Sequence, residues 1–575
     1  SIGMGTSAAA PPWLAAVAVG ATPFLGNVQF FFAFLFLTAP LLMAASVHQL
    51  LKLFSENRWL TSITSLLYAI SPISISAVNS GRLSTVFILI SLPLLVIAAK
   101  NWFQIETLTW RRIFAVSLLA SALIAFSPIV FVIGLGLSGF SIYRDYIASE
   151  SGFNRELFNA RLYRRITILV IPILITAPWS FEIIIDPHRF LLDAGFFLPG
   201  GGPNLALLGN PGGPGALPSW LISPLIIVLA VAIFSSTRAR FIAEVGFVAI
   251  LSSAILSAIS IIGNGTSVAT PIYAGTPIAI ATISAACAVV VMLDKLRDRL
   301  IASNINFRHI SAAVLLGTTA LYVITSAAWL VSSGTESPLR TGREIVLPPF
   351  LAIENDAKTM VIRPRNVAGE STLSYYLARG GDAQLGQPDL APTERAQILN
   401  AVRELADGSG LTAGTTFAVH GIKYLYLKSP VDENLARVID GLGGFTRASS
   451  TKLGIVWKNA GNTGQLLFTD TSGNNSVLAE GFLGVSINSP GELTLTENYS
   501  RGWQAIQDGQ RLKRTKSVDG MPVFEVRNPG LTVLIYDGTV RRAWVSWQLI
   551  TFVTVLVLAL PAGRRRREIA DVELA

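Results

Sequence analysis

The predominantly apolar stretch Ala543–Ala562 runs directly into Arg564-Arg565-Arg566-Arg567. As a helix, twenty such residues rise about 30 Å, the thickness of a bilayer's hydrocarbon core. Clustered arginines at one mouth of a span mark the cytoplasmic side. With that end fixed, the rest of the chain can be threaded back and forth, and about 210 residues, 333–542, fall outside the cytoplasm.

Composition agrees with this frame. Of 575 residues, 51% are hydrophobic and only 14% charged, against about a quarter charged in soluble globular proteins, and the mean hydropathy is +0.55. The formal charge of +9 does not point to nucleic acid, because the basic residues sit mainly in short loops between apolar segments, where they set topology. The single Cys287 excludes an intrachain disulfide and a cysteine metal site. His48, His188, His309 and His420 are too scattered to form a ligand motif, so no metal is expected and no cofactor is assigned. Ser1 opens the chain without a basic n-region, so no secretory signal is expected, and an upstream part of a longer protein is.

Apolar runs predict spans at about 28–51, 60–79, 83–99, 166–185, 217–235, 241–263, 270–293, 309–332 and 543–562. Trp59, Trp102, Trp110, Trp179, Trp220, Trp329, Trp544 and Trp547 sit near their ends, as interfacial belts require. The stretch 113–142 is long for one crossing and carries Ser127-Pro128 at its middle. A broken hairpin of two half-helices keeps the basic segment 143–165 inside. This threading places twenty Lys and Arg residues inside and only Arg82 and Arg189 in the short outside segments. The fold class expected is therefore a polytopic α-helical membrane protein of about nine spans plus the broken hairpin, multi-pass in the plasma membrane, with its C-terminus cytoplasmic.

From residue 333 charge rises and strand patterns appear. Thr359–Ile362, Lys423–Leu427 and Gly454–Trp457 read as strands, while Pro392–Leu405 and Asp432–Leu442 have helical spacing. These predict an extracytoplasmic α/β domain at 333–460. Short strands from Gln465 to Tyr536, with Asp508-Gly509 as a hairpin turn, predict a β-sandwich at 461–542. The membrane domain covers 1–332, and 543–575 forms the last span and basic tail. Neither external unit shows a glycine-rich nucleotide loop opening a helix.

The loop 186–216 carries the candidate chemistry. Glu182, Asp186, His188, Arg189 and Asp193 cluster ahead of two Gly/Pro tracts, 199–203 and 210–215. Asp186 and Asp193 are the candidate catalytic carboxylates, since a carboxylate can take a proton from an acceptor hydroxyl. Arg82, His188 and Arg189 are candidate substrate contacts, the arginines because guanidinium pairs with phosphate. The Gly/Pro tracts are read as a flap over the substrate. The plainer reading is a solvated turn and a linker, with Arg82 snorkelling to the interface. Asn264-Gly265-Thr266 reads as a turn only. Trp503, with Trp457 and Tyr499, is a candidate sugar-stacking platform, although aromatics on strands are more often core.

Several short motifs resemble a known family. Gly3-Met4-Gly5-Thr6-Ser7 with Ala10-Pro11-Pro12-Trp13, Ala69-Ile70-Ser71-Pro72, and Ser80-Gly81-Arg82 with Leu92-Pro93 resemble the membrane region of actinobacterial multipass family-2 glycosyltransferases. Tyr376-Leu377-Ala378-Arg379-Gly380, Gly421-Ile422-Lys423-Tyr424 and Gly502-Trp503-Gln504-Ala505 fit the same pattern, the last also being similar to YfhO-like and other membrane glycosyltransferases of the C superfamily, GT-C. The resemblance implies a cell-envelope glycosyltransferase working with lipid bilayer and a polyprenyl-phosphate-linked sugar or envelope glycan, with no nucleic acid. It also implies an upstream nucleotide-sugar transferase domain. GT-C enzymes use an acid in their first external loop, whereas residues 1–27 contain neither Asp nor Glu. A non-catalytic envelope-glycan assembly or scaffold protein is the alternative. A secondary transporter is disfavoured, since no inverted repeat is evident.

Overall fold

A computed structural model of the chain describes residues 9–148, 155–195, 197–218, 224–261, 269–294, 307–333, 338–339, 347–354, 357–367, 370–378, 395–410, 412–478, 484–497, 499–517 and 520–560. The arginine run at 564–567, the basic segment 295–306, the Asn264-Gly265-Thr266 turn and Trp220 lie outside the described residues.

The membrane part is a bundle of helices α1 (Trp13–Ala21), α2 (Val28–Leu51), α3 (Arg58–Ala69), α4 (Pro72–Ser80), α5 (Leu83–Ala98), α6 (Trp110–Phe126), α7 (Ile129–Ala148), α8 (Arg155–Thr176), α9 (Trp179–Ile185), α10 (Pro203–Leu207), α11 (Leu225–Ile233), α12 (Thr237–Ser257), α13 (Gly275–Leu293) and α14 (Phe307–Ser333). Helix starts follow their capping residues. Asn27 accepts from the Phe30 N–H, Asn57 from Trp59 and Leu60, and Ser236 from Ala239. Gly81, at φ 69°, ends α4 in the left-handed region. Helix α13 is the hub, packing against α12, α11, α3 and α5. Its buried face is rich in alanine, including Ala279, Ala281, Ala285 and Ala288, which lets neighbouring backbones approach closely.

Among the described residues, α2, α7, α12, α13 and the last helix, α19 (Thr539–Ala559), are each long and apolar enough to cross a bilayer. The expected spans 60–79 and 166–185 are each a pair of helices, apolar enough together to cross but bent at a break. The first bends by 44° between α3 and α4, where Pro72 restarts the helix, and the second by 108° between α8 and α9, at Pro178. Of the expected span 217–235, only the nine residues of α11 form a described helix. The hairpin at 113–142 is corrected. Helices α6 and α7 have 17 and 20 residues, about 25 and 30 Å, so they are whole helices meeting at Ser127-Pro128. Trp179, expected at an interface, is buried.

Strands β1 (Ser260–Ile261) and β2 (Thr270–Pro271) form a short ribbon before α13. Beyond α14 comes a mixed sheet of order β4-β3-β5-β7-β6, built from β3 (Lys358–Val367), β4 (Glu370–Ala378), β5 (Ile422–Lys428), β6 (Phe445–Thr451) and β7 (Gly454–Asn459). Among the described residues of this sheet only the β3–β5 pair is parallel, and a parallel pair needs a crossover connection. Three helices, α16 (Arg395–Asp407), α17 (Ala413–Val419) and α18 (Glu433–Gly441), cover one face of this sheet. The other face packs on Leu347 and Leu351, the latter in the short helix α15 (Pro349–Ile353).

Two further sheets share one apolar core. One contains β8 (Leu466–Asp470), β9 (Asn475–Leu478), β11 (Gly491–Leu495), β14 (Arg514–Lys516) and β15 (Pro522–Val526). The other contains β10 (Val485–Ile487), β12 (Trp503–Gln507), β13 (Gln510–Arg511) and β16 (Gly530–Tyr536). Phe468, Leu493 and Phe524 from the first meet Ile487, Trp503 and Leu534 from the second. Asp508 and Gly509 both have positive φ and join β12 to β13, as a two-residue hairpin turn requires. Buried Lys358 ties the two soluble units together, donating to the carbonyls of His420 and Thr496 and lying 3.7 Å from Glu497.

Candidate functional site

One end of the helix bundle gathers the α4–α5 turn, the α6–α7 junction, the loop after α9 and the start of α13. Asp193 is the chemical centre of this cluster. Its Oδ1 accepts from Ser127 Oγ at 2.7 Å, at the α6–α7 junction, and Ser84 on α5 supplies a second hydroxyl. Ser127 Oγ and Thr276 Oγ1 lie 3.0 Å apart. With the Ser127 proton directed at the carboxylate, Thr276 is the donor of that pair, which makes a chain of hydroxyls ending on Asp193. Burial pushes the Asp193 carboxyl above its ordinary range, opposed by the two serine hydrogen bonds and by the charge of Arg82.

Arg82 is buried and turned inward rather than snorkelling. Its Nη1 and Nη2 donate to the carbonyls of Leu198 and Pro199 at 3.0 and 2.9 Å, and its guanidinium stacks on the Tyr273 ring at 3.5 Å. The Tyr273 hydroxyl lies among those of Ser76 and Thr85, and burial raises its pKa while the charge of Arg82 lowers it.

The Gly/Pro tracts pack tightly around Arg82, which corrects the flap reading. Gly200 donates to the Pro271 carbonyl in β2, and Gly201 to the Pro211 carbonyl. A Cβ on Gly213, whose φ is 82°, would lie 2.2 Å from the Pro199 oxygen and 3.0 Å from Arg82 Nη2. Asn210 is buried and donates to Leu217. The glycines are there because backbone meets backbone at these points.

The acid–His–Arg cluster is divided. Asp186 and His188 are exposed, and Arg189 bridges Glu182 at 2.8 Å and Asp186 at 3.4 Å. Glu182 also accepts from the Ala9 N–H. Beside this ion pair an apolar pocket opens, lined by Ile124, Pro128, Phe131, Pro172, Trp179 and Phe190. Trp503 is corrected outright. It is fully buried in the sandwich core, edge-on to Tyr536 with centroids 5.0 Å apart, and offers no face to a sugar. Trp457 is equally buried and donates to Asp440.

Sequence reasoning missed Ser84, Ser127, Tyr273 and Thr276. For Ser84, Ser127 and Thr276 the available signal was a small hydroxyl residue at the end of an apolar helix, where it needs a partner.

No family model matches the chain, and no curated protein matches it either. The single-particle cryo-EM structure of arabinofuranosyltransferase AftD from Mycobacteria is similar over 78% of this chain and 35% of its own, at 14% identity and a TM-score of 0.40. The chain thus spans about a third of that protein's length.

Proposed function

We propose that the chain is the membrane and external part of a cell-envelope glycosyltransferase acting on lipid-linked sugars or envelope glycans. The observation that carries this reading is Asp193, a carboxylate raised in basicity by burial and oriented by two serine hydroxyls at the mouth of a helix bundle. A general base works best when its pKa approaches the working pH. In the proposed step Asp193 takes the acceptor hydroxyl's proton as that oxygen bonds to the anomeric carbon. The bond from the anomeric carbon to the lipid phosphate breaks, and the phosphate leaves with the electron pair.

Arg82 acts as a positioning residue, since two of its donors hold the loop and its charge favours ionised Asp193. The apolar side chains beside Phe190 form the surface against which a prenyl or acyl chain would lie. Arg189 next to it meets the phosphate by exchanging its longer contact, the one to Asp186.

Purified full-length protein with a radiolabelled polyprenyl-phosphate sugar tests this. Asp193→Asn is expected to lower transfer by about 10²- to 10⁴-fold with membrane insertion unchanged, while Asp186→Asn stays within a few-fold. Full activity in Asp193→Asn would exclude the site. One observation favours the scaffold reading: the loop carbonyls already occupy Arg82. Glycan retention without transfer, in wild type and variant alike, would support it.

A further inference from the structure

A second charged cluster lies at the other end of the bundle, where the turn Trp102–Thr107 and the start of α6 meet the end of α7 and the first turns of α8. Asp145 accepts from Arg144 at 3.3 Å and Arg161 at 3.1 Å through Oδ1, and from Arg165 at 2.8 Å through Oδ2. Glu106 binds Arg161 through both oxygens at 2.8 Å. Arg164 stacks 5.2 Å over Trp110. Three arginines thus share two carboxylates, Arg164 bonds neither, and every carboxylate oxygen is already engaged.

The Arg165 side chain is 1% exposed, and among the described residues its Nε and Nη2 have no acceptor; the buried Nε of Arg164 has none either. Burying guanidinium N–H groups without an acceptor is costly, more so under excess positive charge. An anion with several acceptor oxygens removes both penalties. The nearby exposed residues are those of a membrane interface: Trp110, Tyr163, Ile147 and Ile166, with Arg111 and Arg112 beside Trp110.

We propose that this corner binds the phosphate of an anionic phospholipid headgroup, with Arg164 and Arg165 as its contacts. A lipid source fits better than free phosphate, because exposed apolar and aromatic side chains, Trp110, Ile147, Tyr163 and Ile166, flank the corner. The inference is independent of the Asp193 site.

The test uses the full chain, stripped of lipid and placed in phosphatidylcholine nanodiscs with increasing phosphatidylglycerol, with thermal unfolding as readout. Saturable stabilisation by phosphatidylglycerol is expected. Arg165→Lys keeps the charge facing Asp145 but removes the unpaired donors, and Arg164→Gln neutralises the second contact. Each is expected to raise the half-saturating lipid fraction about tenfold, the loss of roughly one charged hydrogen bond, while the exposed Arg58→Gln leaves it unchanged. Should Arg165→Lys fail to fold, Arg164→Gln decides. Unchanged saturation in Arg164→Gln, absence of stabilisation, or equal stabilisation by inorganic phosphate in phosphatidylcholine alone would overturn the proposal.

Discussion

Asp186 and Asp193 share a loop and a side-chain type, yet their surroundings give them different chemistry. Asp186 faces solvent in a stretched pair with Arg189, an arrangement worth at most about 1 kcal/mol. Asp193 sits among hydroxyls with its carboxyl pushed up by burial. Because its pKa is higher folded than unfolded, the native state holds more protons than the unfolded state between those two values. Its stabilising contribution is therefore complete below about pH 4, the unfolded value, and is lost as pH rises through the native pKa. Thermal midpoints of wild type measured against Asp193→Asn across pH 4 to 8 are expected to show this fall in wild type only; parallel curves would contradict it. The depressed carboxyls of Glu354 and Asp440, held down by Lys423 and Arg447 against burial, act in the opposite sense and cancel in the comparison. Sequence alone drew attention to Asp193 as a charge, but not to Ser127 or Thr276, because only folding brings the α6–α7 junction and the start of α13 onto the carboxylate.

At the scale of elements, apolar length was legible and helix breaks were less so. Helix α2 coincides with its expected limits, since Asn27 and the apolar run both mark them. The breaks at Pro72 and Pro178 were hidden inside runs of the right total length, and hydropathy is blind to a 108° turn. The Gly/Pro tracts read as a flap because glycine marks either mobility or close approach, and only coordinates separate the two. Gly213→Ala is expected to lose transfer activity and lower the midpoint, combining the left-handed backbone penalty of about 1–2 kcal/mol with displacement of the Pro199 carbonyl that holds Arg82. Gly26→Ala, with similar φ but open space around it, is expected to carry the backbone penalty alone and keep activity. Equal activity loss in both would show that the Arg82 contact is immaterial.

Across the whole molecule, the two ends of the bundle differ in chemistry. The Asp193 end also receives the chain leading to the soluble units, since the Leu339 N–H donates to the Asn79 carbonyl beside Arg82. From β16 the chain passes directly into α19, whose Trp547 and Gln548 donate to the Leu174 and Ala177 carbonyls at the end of α8. The opposite end carries Lys52, Arg58, Lys100, Arg111, Arg112 and the Asp145 arginine cluster. This separation follows from the basic loops seen in the sequence, whereas the joining of the two soluble units through Lys358 followed from no local pattern. Placing the Asp193 end and the β-rich region together outside the cell is the premise of the proposed chemistry. Labelling intact cells with a membrane-impermeant maleimide tests it directly, in a Cys287→Ala background carrying His188→Cys, Lys452→Cys or Lys100→Cys, all at exposed positions. The first two are expected to react in intact cells and the third only after permeabilisation. Reaction of the Lys100 position alone, or of His188 and Lys452 from opposite sides, would contradict the account.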